Sequence, residues 1–288
     1  MNVLVIGRAK TGTTIISKTI QKSLPSASYY LEPKTICFFE HGPHIKENCS
    51  QVVKIIFEQW IESRRLRDAF MYNETQLKFD RVIAIRRDLR DELLSRLLYV
   101  IFHYLLTYGH QPQVIQRWLE LWQAKENAPQ KYSIRYLIEQ YDKLVGDNFL
   151  NFLKIKPNYS QFLQNHAERV FIIAYENFIS GELDNLEHYL GFKMVRNSNV
   201  GQNLQRTQRS LAFNNWQRYF TLEDVAFFRP LLSDELTKLG YHDDWALTPV
   251  ERLNPAHCSQ YIKKLVREAS ERRSLLRQQK RPNGLPTG

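Results

Sequence analysis

The sequence contains little cysteine and no long apolar run. Its 288 residues include three cysteines, Cys37, Cys49 and Cys258, at unrelated spacings, which match neither a metal-binding pattern nor a disulfide framework. A reducing cytoplasm is therefore the simplest location to expect. No segment approaches the roughly 18 apolar residues of a membrane span. The short apolar run at residues 3–6 is followed at once by a charged loop, which is not typical of a signal peptide.

The positive charge of the chain is concentrated towards its C-terminal end. The formal net charge is +10, and residues 263–281 carry eight basic side chains against Glu268 and Glu271, which gives this stretch +6. We predict a basic helical tail over residues 251–288, disordered over its last residues, 281–288, after a single domain over residues 1–250. Such a tail suits nucleic acid or an acidic membrane surface, and a solvated basic helix end is the simpler interpretation.

Short apolar runs alternate with longer helical patterns along the first 180 residues. The runs that we predict as strands are VLVI (3–6), SYYL (28–31), VVKIIF (52–57), RVIAI (81–85) and VFIIAY (170–175). Helical patterns follow at 13–23, 58–70, 88–106 and 177–191, and residues 111–165 form a mostly helical insertion. Strands that alternate with helices indicate an α/β fold in which helices flank a central parallel sheet. Ligands of such sheets bind at the carboxyl ends of the strands.

The segment GRAKTGTT, residues 7–14, lies between the first predicted strand and the first predicted helix. A turn of this kind directs backbone N–H groups at an anion bound by the helix N-terminus. Gly12 allows the backbone to approach closely, and Thr13 and Thr14 add hydroxyl donors. Nucleotide triphosphatases place a lysine directly after the second glycine, whereas Lys10 stands two residues before Gly12. We therefore expect a P-loop-type three-layer fold in which Lys10 reaches a different atom of the ligand, such as a bridging oxygen.

An arginine and a serine follow the strand RVIAI. The forked guanidinium of Arg87, at the strand end, can grip a terminal phosphate, and Ser95 lies eight residues later on the following helix. The alternative for Arg87 is a surface salt bridge with Asp88 or Asp91. A strand end with Arg86 and Arg87 before its first aspartate is a poor site for magnesium. An ATP-dependent small-molecule kinase is therefore the weaker enzyme hypothesis.

These motifs resemble those of the sulfotransferases that use 3′-phosphoadenosine 5′-phosphosulfate (PAPS). That family has a P-K-S-G-T-T or R-x-G-T-T loop, an arginine with a serine eight residues later, a Y-E-D at a strand end, and an arginine seven residues before a tryptophan. The matching positions here are Ala9 to Thr14, Arg87 with Ser95, Tyr175-Glu176-Asn177, and Arg209 with Trp216. With the ending LGY-x-x-DW, the resemblance spans roughly residues 3–245. Ile15 stands where the family usually has an adenine-stacking tryptophan.

The resemblance implies transfer of a sulfuryl group from PAPS to a hydroxyl or amine of a small-molecule, carbohydrate or glycolipid acceptor, without a metal ion. Lys10 would act as a catalytic residue at the bridging or leaving oxygen of the 5′-phosphosulfate. The residues implied to hold the donor are Lys10, Thr11, Gly12, Thr13, Thr14, Arg87, Ser95, Tyr175 and Arg209. Tyr175 would lie near the adenine, with core packing as the alternative.

A general base is also expected, to take the proton of the acceptor. Glu32, in YYLEPK, lies just past a predicted strand, and a carboxylate desolvated in a pocket can gain the pKa that a base requires. The alternatives are His41, His44 and His103, each of which also suits a surface or structural role. Lys54 is either near the donor or a solvated lysine at a strand end.

One hypothesis does not involve catalysis. The basic tail could bind nucleic acid or acidic membrane, although no recognised nucleic-acid motif accompanies it in the sequence, so no specific nucleic-acid partner is expected. The sequence leaves the oligomeric state open.

Overall fold

Five parallel strands form one sheet in the computed structural model, which describes residues 1–33, 38, 49–60, 78–196 and 199–279. The strands are β1 (Asn2–Gly7), β2 (Ser28–Leu31), β3 (Gln51–Ile56), β4 (Arg81–Arg86) and β5 (Phe171–Ala174). They lie in the order β2-β3-β1-β4-β5, and every neighbouring pair is parallel. Each strand coincides with a predicted apolar run. The predicted α/β fold, a parallel sheet flanked by helices, is therefore confirmed.

Helices make up most of the rest of the described chain. They are α1 (Thr13–Ser23), α2 (Leu89–Tyr108), α3 (Pro112–Asn127), α4 (Ile134–Val145), α5 (Lys156–Asn165), α6 (Tyr175–Ser180), α7 (Asp184–Leu190), α8 (Trp216–Tyr219), α9 (Leu222–Lys238) and α10 (Ser259–Gln279). Short 3₁₀ turns lie at Phe57–Trp60, Phe149–Ile155, Gln202–Thr207 and Pro255–His257. Residues 111–165 are mostly helical, as predicted. Among the helices described here, none is both long and apolar enough to cross a membrane.

The core on one face of the sheet fixes the position of α1. Successive strand side chains point to opposite faces, so alternate strand residues share one cluster. Its strand members are Val3, Val5, Val52, Ile83, Ile85 and Ile173, and its helical members include Ile15, Ile16, Ile20, Leu186 and Leu190. Because α1 packs on the strand that precedes it, the N-terminus of α1 lies at the carboxyl end of β1, where ligands of parallel sheets bind.

The pattern over residues 177–191 forms two helices, so the prediction of one helix there is wrong. Gly181 has a φ of 84°, a left-handed conformation that glycine adopts at little cost and that ends α6. The chain then turns through Leu183 and starts α7, which ends at Gly191 as predicted. Gly181, which lies inside the periodic apolar pattern, therefore marks the end of a helix.

Some predictions fall outside the described residues. The helix predicted at 58–70 begins as the 3₁₀ turn Phe57–Trp60, and the rest of it is not described. His41 and His44 also lie outside the described residues, as does the predicted disordered end at 281–288.

The chain divides into two compact units. The first comprises Met1–Glu92, Leu150–Phe213 and Asp234–Asp243, and it contains the whole sheet with α1, α5, α6 and α7. The second comprises Leu93–Phe149, Asn214–Ser233 and the chain from Asp244 onward, and it contains α3, α4, α8 and α10. The predicted division into a domain over 1–250 and a tail over 251–288 stays a prediction.

Helix α10 contributes to the core of the second unit. The side chains of Ile262 and Leu265 are fully buried. At the start of α10, the hydroxyl of Ser259 donates to Glu126 Oε2 on α3 over 2.6 Å. The first half of the basic helix is therefore packed against α3.

Candidate functional site

The loop between β1 and α1 is closed by its own hydrogen bonds. The hydroxyl and the backbone N–H of Thr11 both donate to the carbonyl oxygen of Arg8, over 2.7 Å and 3.3 Å. Lys10 has a φ of 71°, a left-handed conformation that is strained for a residue with a Cβ. Gly12 follows with a φ of 91°. Thr11 thus serves to close the turn, and the turn holds Lys10 in an unusual conformation that the rest of the loop must stabilise.

The N-terminus of α1 opens directly after this turn. Gly12 is the N-cap, and no side chain in the described part of the chain caps the N–H groups of the first turn. Thr13 and Thr14, which form that turn, are buried. Free N–H groups and the positive end of the helix dipole both favour an anion. The predicted phosphate site requires this arrangement.

Arg87 reaches the same loop from the end of β4. Its Nη1 donates to the carbonyl oxygen of Lys10 over 2.8 Å, and its guanidinium lies 4.3 Å from the centroid of the Tyr175 ring. A Cβ at Gly12 would come within 2.7 Å of Tyr175 Cε2, so glycine is required where the loop meets this ring. Arg87 is 7% exposed, and its Nε has no hydrogen-bond partner among the described residues.

The alternative assignment of Arg87 to a surface salt bridge with Asp88 is wrong. Arg87 is buried, and Asp88 pairs with Arg90, whose Nη2 lies 2.6 Å from Asp88 Oδ2. The Asp88 carboxylate also accepts the backbone N–H of Arg90 over 2.8 Å, which caps the N-terminus of α2. The guanidinium of Arg87 is therefore directed towards the loop.

Tyr175 is buried beside Arg87. Burial raises the pKa of its hydroxyl, and the positive charges of Arg87 and Arg209 oppose that shift. Tyr175 itself is 4% exposed and belongs to the core cluster. Its predicted place beside an adenine and the donor-binding role of Arg209 stay predictions.

Two predicted candidates belong to the second unit. Ser95, on α2, is buried. His103, further along α2, is exposed, and its ring centroid lies 5.1 Å from that of Tyr99. Ser95 as a donor ligand and His103 as an alternative base both stay predictions.

The predicted base, Glu32, is part of an ion pair. Its carboxylate contacts the ammonium group of Lys54, and its backbone N–H donates to the Lys54 carbonyl oxygen over 2.7 Å. Lys54 is 2% exposed because it lies within β3, between β1 and β2. Its interpretation as a solvated lysine at a strand end is therefore wrong. Burial lowers the pKa of Lys54, Glu32 raises it, and the nearby charge of Arg206 lowers it. The role of Glu32 as a base stays a prediction.

Two carboxylates that the sequence did not indicate hold the loop. Arg8 is 1% exposed, and its Nη2 lies 3.0 Å from Glu92 Oε1 at the start of α2. Glu58 accepts the backbone N–H of Ala9 with both oxygens, over 3.0 Å and 3.2 Å. The only signal available in the sequence was an arginine inside a phosphate-type loop. These contacts tie the loop to α2 and to the turn that follows β3.

No protein-family model matches this chain, and no curated protein matches its sequence. Among solved structures, this chain is similar to the crystal structure of mouse sulfotransferase SULT7A1 complexed with PAP, with a TM-score of 0.48 and 15% sequence identity. The similarity covers 82% of this chain and 84% of that one.

Several basic residues lie at or near the carboxyl ends of the strands. Arg87 donates to the Lys10 carbonyl oxygen where the neighbouring strands β1 and β4 end. Lys54 contacts Glu32, and the charge of Arg206 acts on Lys54. Within the described ranges, no group of three or more His, Cys, Asp or Glu side chains could hold a metal ion. Cations around a helix N-terminus without a side-chain cap favour a ligand with more than one negative group.

Proposed function

We propose that this chain is a sulfotransferase that takes a sulfuryl group from PAPS and releases 3′-phosphoadenosine 5′-phosphate (PAP). The observation that carries the proposal is the contact between Arg87 and the loop. Arg87 holds the carbonyl oxygen of Lys10 beside a helix N-terminus that no described side chain caps. PAPS carries anionic groups at both its 5′ and 3′ positions. A protein that binds PAPS therefore needs two neighbouring anion sites, here one at the loop and one at an arginine.

Residues of the first unit fit both anionic ends of this donor. The N–H groups of the first turn of α1, with the hydroxyls of Thr13 and Thr14, would hold the 5′ end. Arg87, with a buried Nε that lacks a partner in the described chain, would hold the 3′-phosphate together with Arg209. The fit is weaker at the adenine, because Ile15 is 4% exposed within the core cluster. Tyr175 is the aromatic side chain that we propose nearest to the base.

Different residues of this chain would have different roles in the transfer. Bound PAPS supplies a sulfuryl group that passes to the acceptor as PAP leaves. Lys10 places positive charge at the loop, where negative charge develops on the leaving 5′-phosphate. The Glu32 carboxylate would accept the proton of the acceptor hydroxyl or amine. Lys54 contacts that carboxylate and accepts the Glu32 N–H, so it fixes the orientation of the proposed base.

We infer that the acceptor is a small molecule, a carbohydrate or a glycolipid. The motif around Glu32 resembles the Glu-Pro segment of sulfotransferases that act on carbohydrates. Amines and hydroxyls are both suitable nucleophiles for this transfer, since each carries a proton that Glu32 could take.

Release of PAP from PAPS tests the proposal directly. The purified chain would be incubated with PAPS and separate pools of sugars, amino sugars, glycolipids and aliphatic or aromatic alcohols. We expect at least one pool to raise the rate of PAP release, and Lys10→Met to abolish that increase. Lys22→Met, an exposed lysine at the other end of α1, is the matched control and should retain it. Release of ADP from ATP with Mg²⁺, without turnover of PAPS, would contradict the proposal and support a kinase.

A further inference from the structure

Glu176 joins two distant segments of the first unit at the end of β4. Its Oε1 accepts the backbone N–H of Asp88 over 3.1 Å. Its Oε2 accepts the hydroxyl of Tyr241 over 2.7 Å. One carboxylate therefore bridges the residue directly after Arg87 and the segment that follows α9.

The segment that follows α9 also contacts the residue directly before Arg87. Arg86 Nη1 donates to the carbonyl oxygen of Leu239, and the Arg86 guanidinium lies 5.5 Å from the centroid of the Tyr241 ring. Gly240 between them has a φ of 75°, and a Cβ there would overlap the Arg86 guanidinium. Glycine thus lets the backbone pass close to Arg86.

The residues on both sides of Arg87 are therefore held by two neighbours that are hydrogen-bonded to each other. The Arg86 side chain and the Asp88 N–H are held by the segment after α9 and by Glu176. Arg87 itself makes different contacts, with the Lys10 carbonyl and the Tyr175 ring. Tyr175 and Glu176 are consecutive, so one short stretch contacts Arg87 with a ring and the next backbone N–H with a carboxylate.

We propose that Glu176 and Tyr241 are positioning residues that hold the Arg87 guanidinium where it binds the 3′-phosphate, an inference that rests on the proposed function. Neither residue needs to touch the donor. Their hydrogen bonds fix the backbone from which Arg87 extends, and the fork of a guanidinium binds well only in one orientation. Burial of the Tyr241 hydroxyl raises its pKa, and the charge of Glu176 raises it further. Tyr241 thus remains a hydrogen-bond donor to Glu176 at neutral pH.

The first test measures the affinity for PAP and for 5′-AMP, which lacks the 3′-phosphate, by isothermal titration. Loss of one hydrogen bond should raise the Kd of Tyr241→Phe for PAP about 2- to 10-fold, with the Kd for 5′-AMP unchanged. Tyr189→Phe is the matched control, because its hydroxyl bonds to Val82 at the opposite end of β4, over 3.0 Å to the N–H. The control should keep wild-type affinity for PAP.

Two further comparisons separate positioning from a general structural role. In an Arg87→Lys background, the effect of Tyr241→Phe on the Kd for PAP should shrink to less than about 2-fold, because coupled residues are not additive. Glu176→Gln can still accept the Asp88 N–H and should stay within about 3-fold of the wild type, whereas Glu176→Ala should lose at least as much affinity as Tyr241→Phe. Thermal unfolding of each variant confirms that it is folded.

The outcomes distinguish this inference from the proposed function. If the wild type does not bind PAP, the proposed function is wrong and this inference falls with it. If the wild type binds PAP and Tyr241→Phe binds it equally well, the proposed function stands and the positioning role is wrong. An equal loss of affinity with and without Arg87, or for PAP and 5′-AMP alike, would also overturn the positioning role.

Discussion

Replacement of Arg87 by alanine should remove the proposed 3′-phosphate site and leave the proposed 5′-phosphate site in place. Arg87 is almost fully buried and holds its guanidinium against the Tyr175 ring and the Lys10 carbonyl. A hydrogen bond between charged partners contributes about 1.5–3 kcal/mol. Since about 1.4 kcal/mol is tenfold in affinity, Arg87→Ala should bind PAP roughly 10- to 100-fold more weakly than the wild type. Titration calorimetry with PAP and with 5′-AMP measures this directly.

The comparison of the two nucleotides separates two roles of Arg87. Loss of the hydrogen bond from Arg87 to Lys10 would disturb the loop and weaken the binding of both nucleotides. Loss of a side chain that binds the 3′-phosphate would weaken the binding of PAP alone. Arg81→Ala is the control. Arg81 lies at the opposite end of the strand that precedes Arg87. It donates to the Tyr189 carbonyl oxygen over 2.7 Å, and its guanidinium lies 5.4 Å from the centroid of the Tyr189 ring. The reasoning is refuted if Arg87→Ala raises the Kd for PAP and the Kd for 5′-AMP by the same factor. It is also refuted if Arg81→Ala raises the Kd for PAP as much as Arg87→Ala does.

Three more predictions concern the ion pair, a buried lysine and the last helix. Glu32→Gln should lower kcat by roughly tenfold or more with unchanged PAP affinity, and an unchanged kcat would exclude Glu32 as the base. Burial lowers the pKa of Lys125 from 10.5 to about 8. The unfolded state therefore binds more protons between these values, and the free energy of unfolding should rise by about 3 kcal/mol as pH increases through this range. Denaturant titrations should show this rise in the wild type but not in Lys125→Met. Leu265→Ala should cost about 2–5 kcal/mol, whereas Leu275→Ala, on the exposed side of the same helix, should change stability by less than about 0.5 kcal/mol. Equal costs would contradict the packing of α10.

The strands could be predicted because parallel strands are buried on both faces. Such strands are nearly continuous apolar runs, as at residues 3–6 and 81–85. The helical pattern at 177–191 was less informative. Its periodicity continues past Gly181, and only the positive φ of that glycine shows that the chain stops one helix and starts another.

The sequence indicated the location of only some of the candidate residues. The position of Arg87 after a strand indicates which edge of the sheet it occupies, and the structure places it against the loop. The pair of Glu176 and Tyr241 joins residues 65 positions apart, and no local pattern links them. The sequence left Lys54 either near the donor or as a solvated lysine at a strand end, because it does not reveal that the carboxylate of Glu32, just past the neighbouring strand, contacts the Lys54 ammonium group.

The most direct test of the account is thermal unfolding of the wild type with PAP, set beside ADP and ATP with Mg²⁺. A ligand at a hundred times its Kd adds about 2.7 kcal/mol to stability, which for a chain of this size should raise Tm by roughly 5 °C. The account predicts this rise with PAP and a much smaller one with ADP or with ATP and Mg²⁺. A rise with ATP and Mg²⁺ but none with PAP would contradict it, and so would the absence of a rise with PAP.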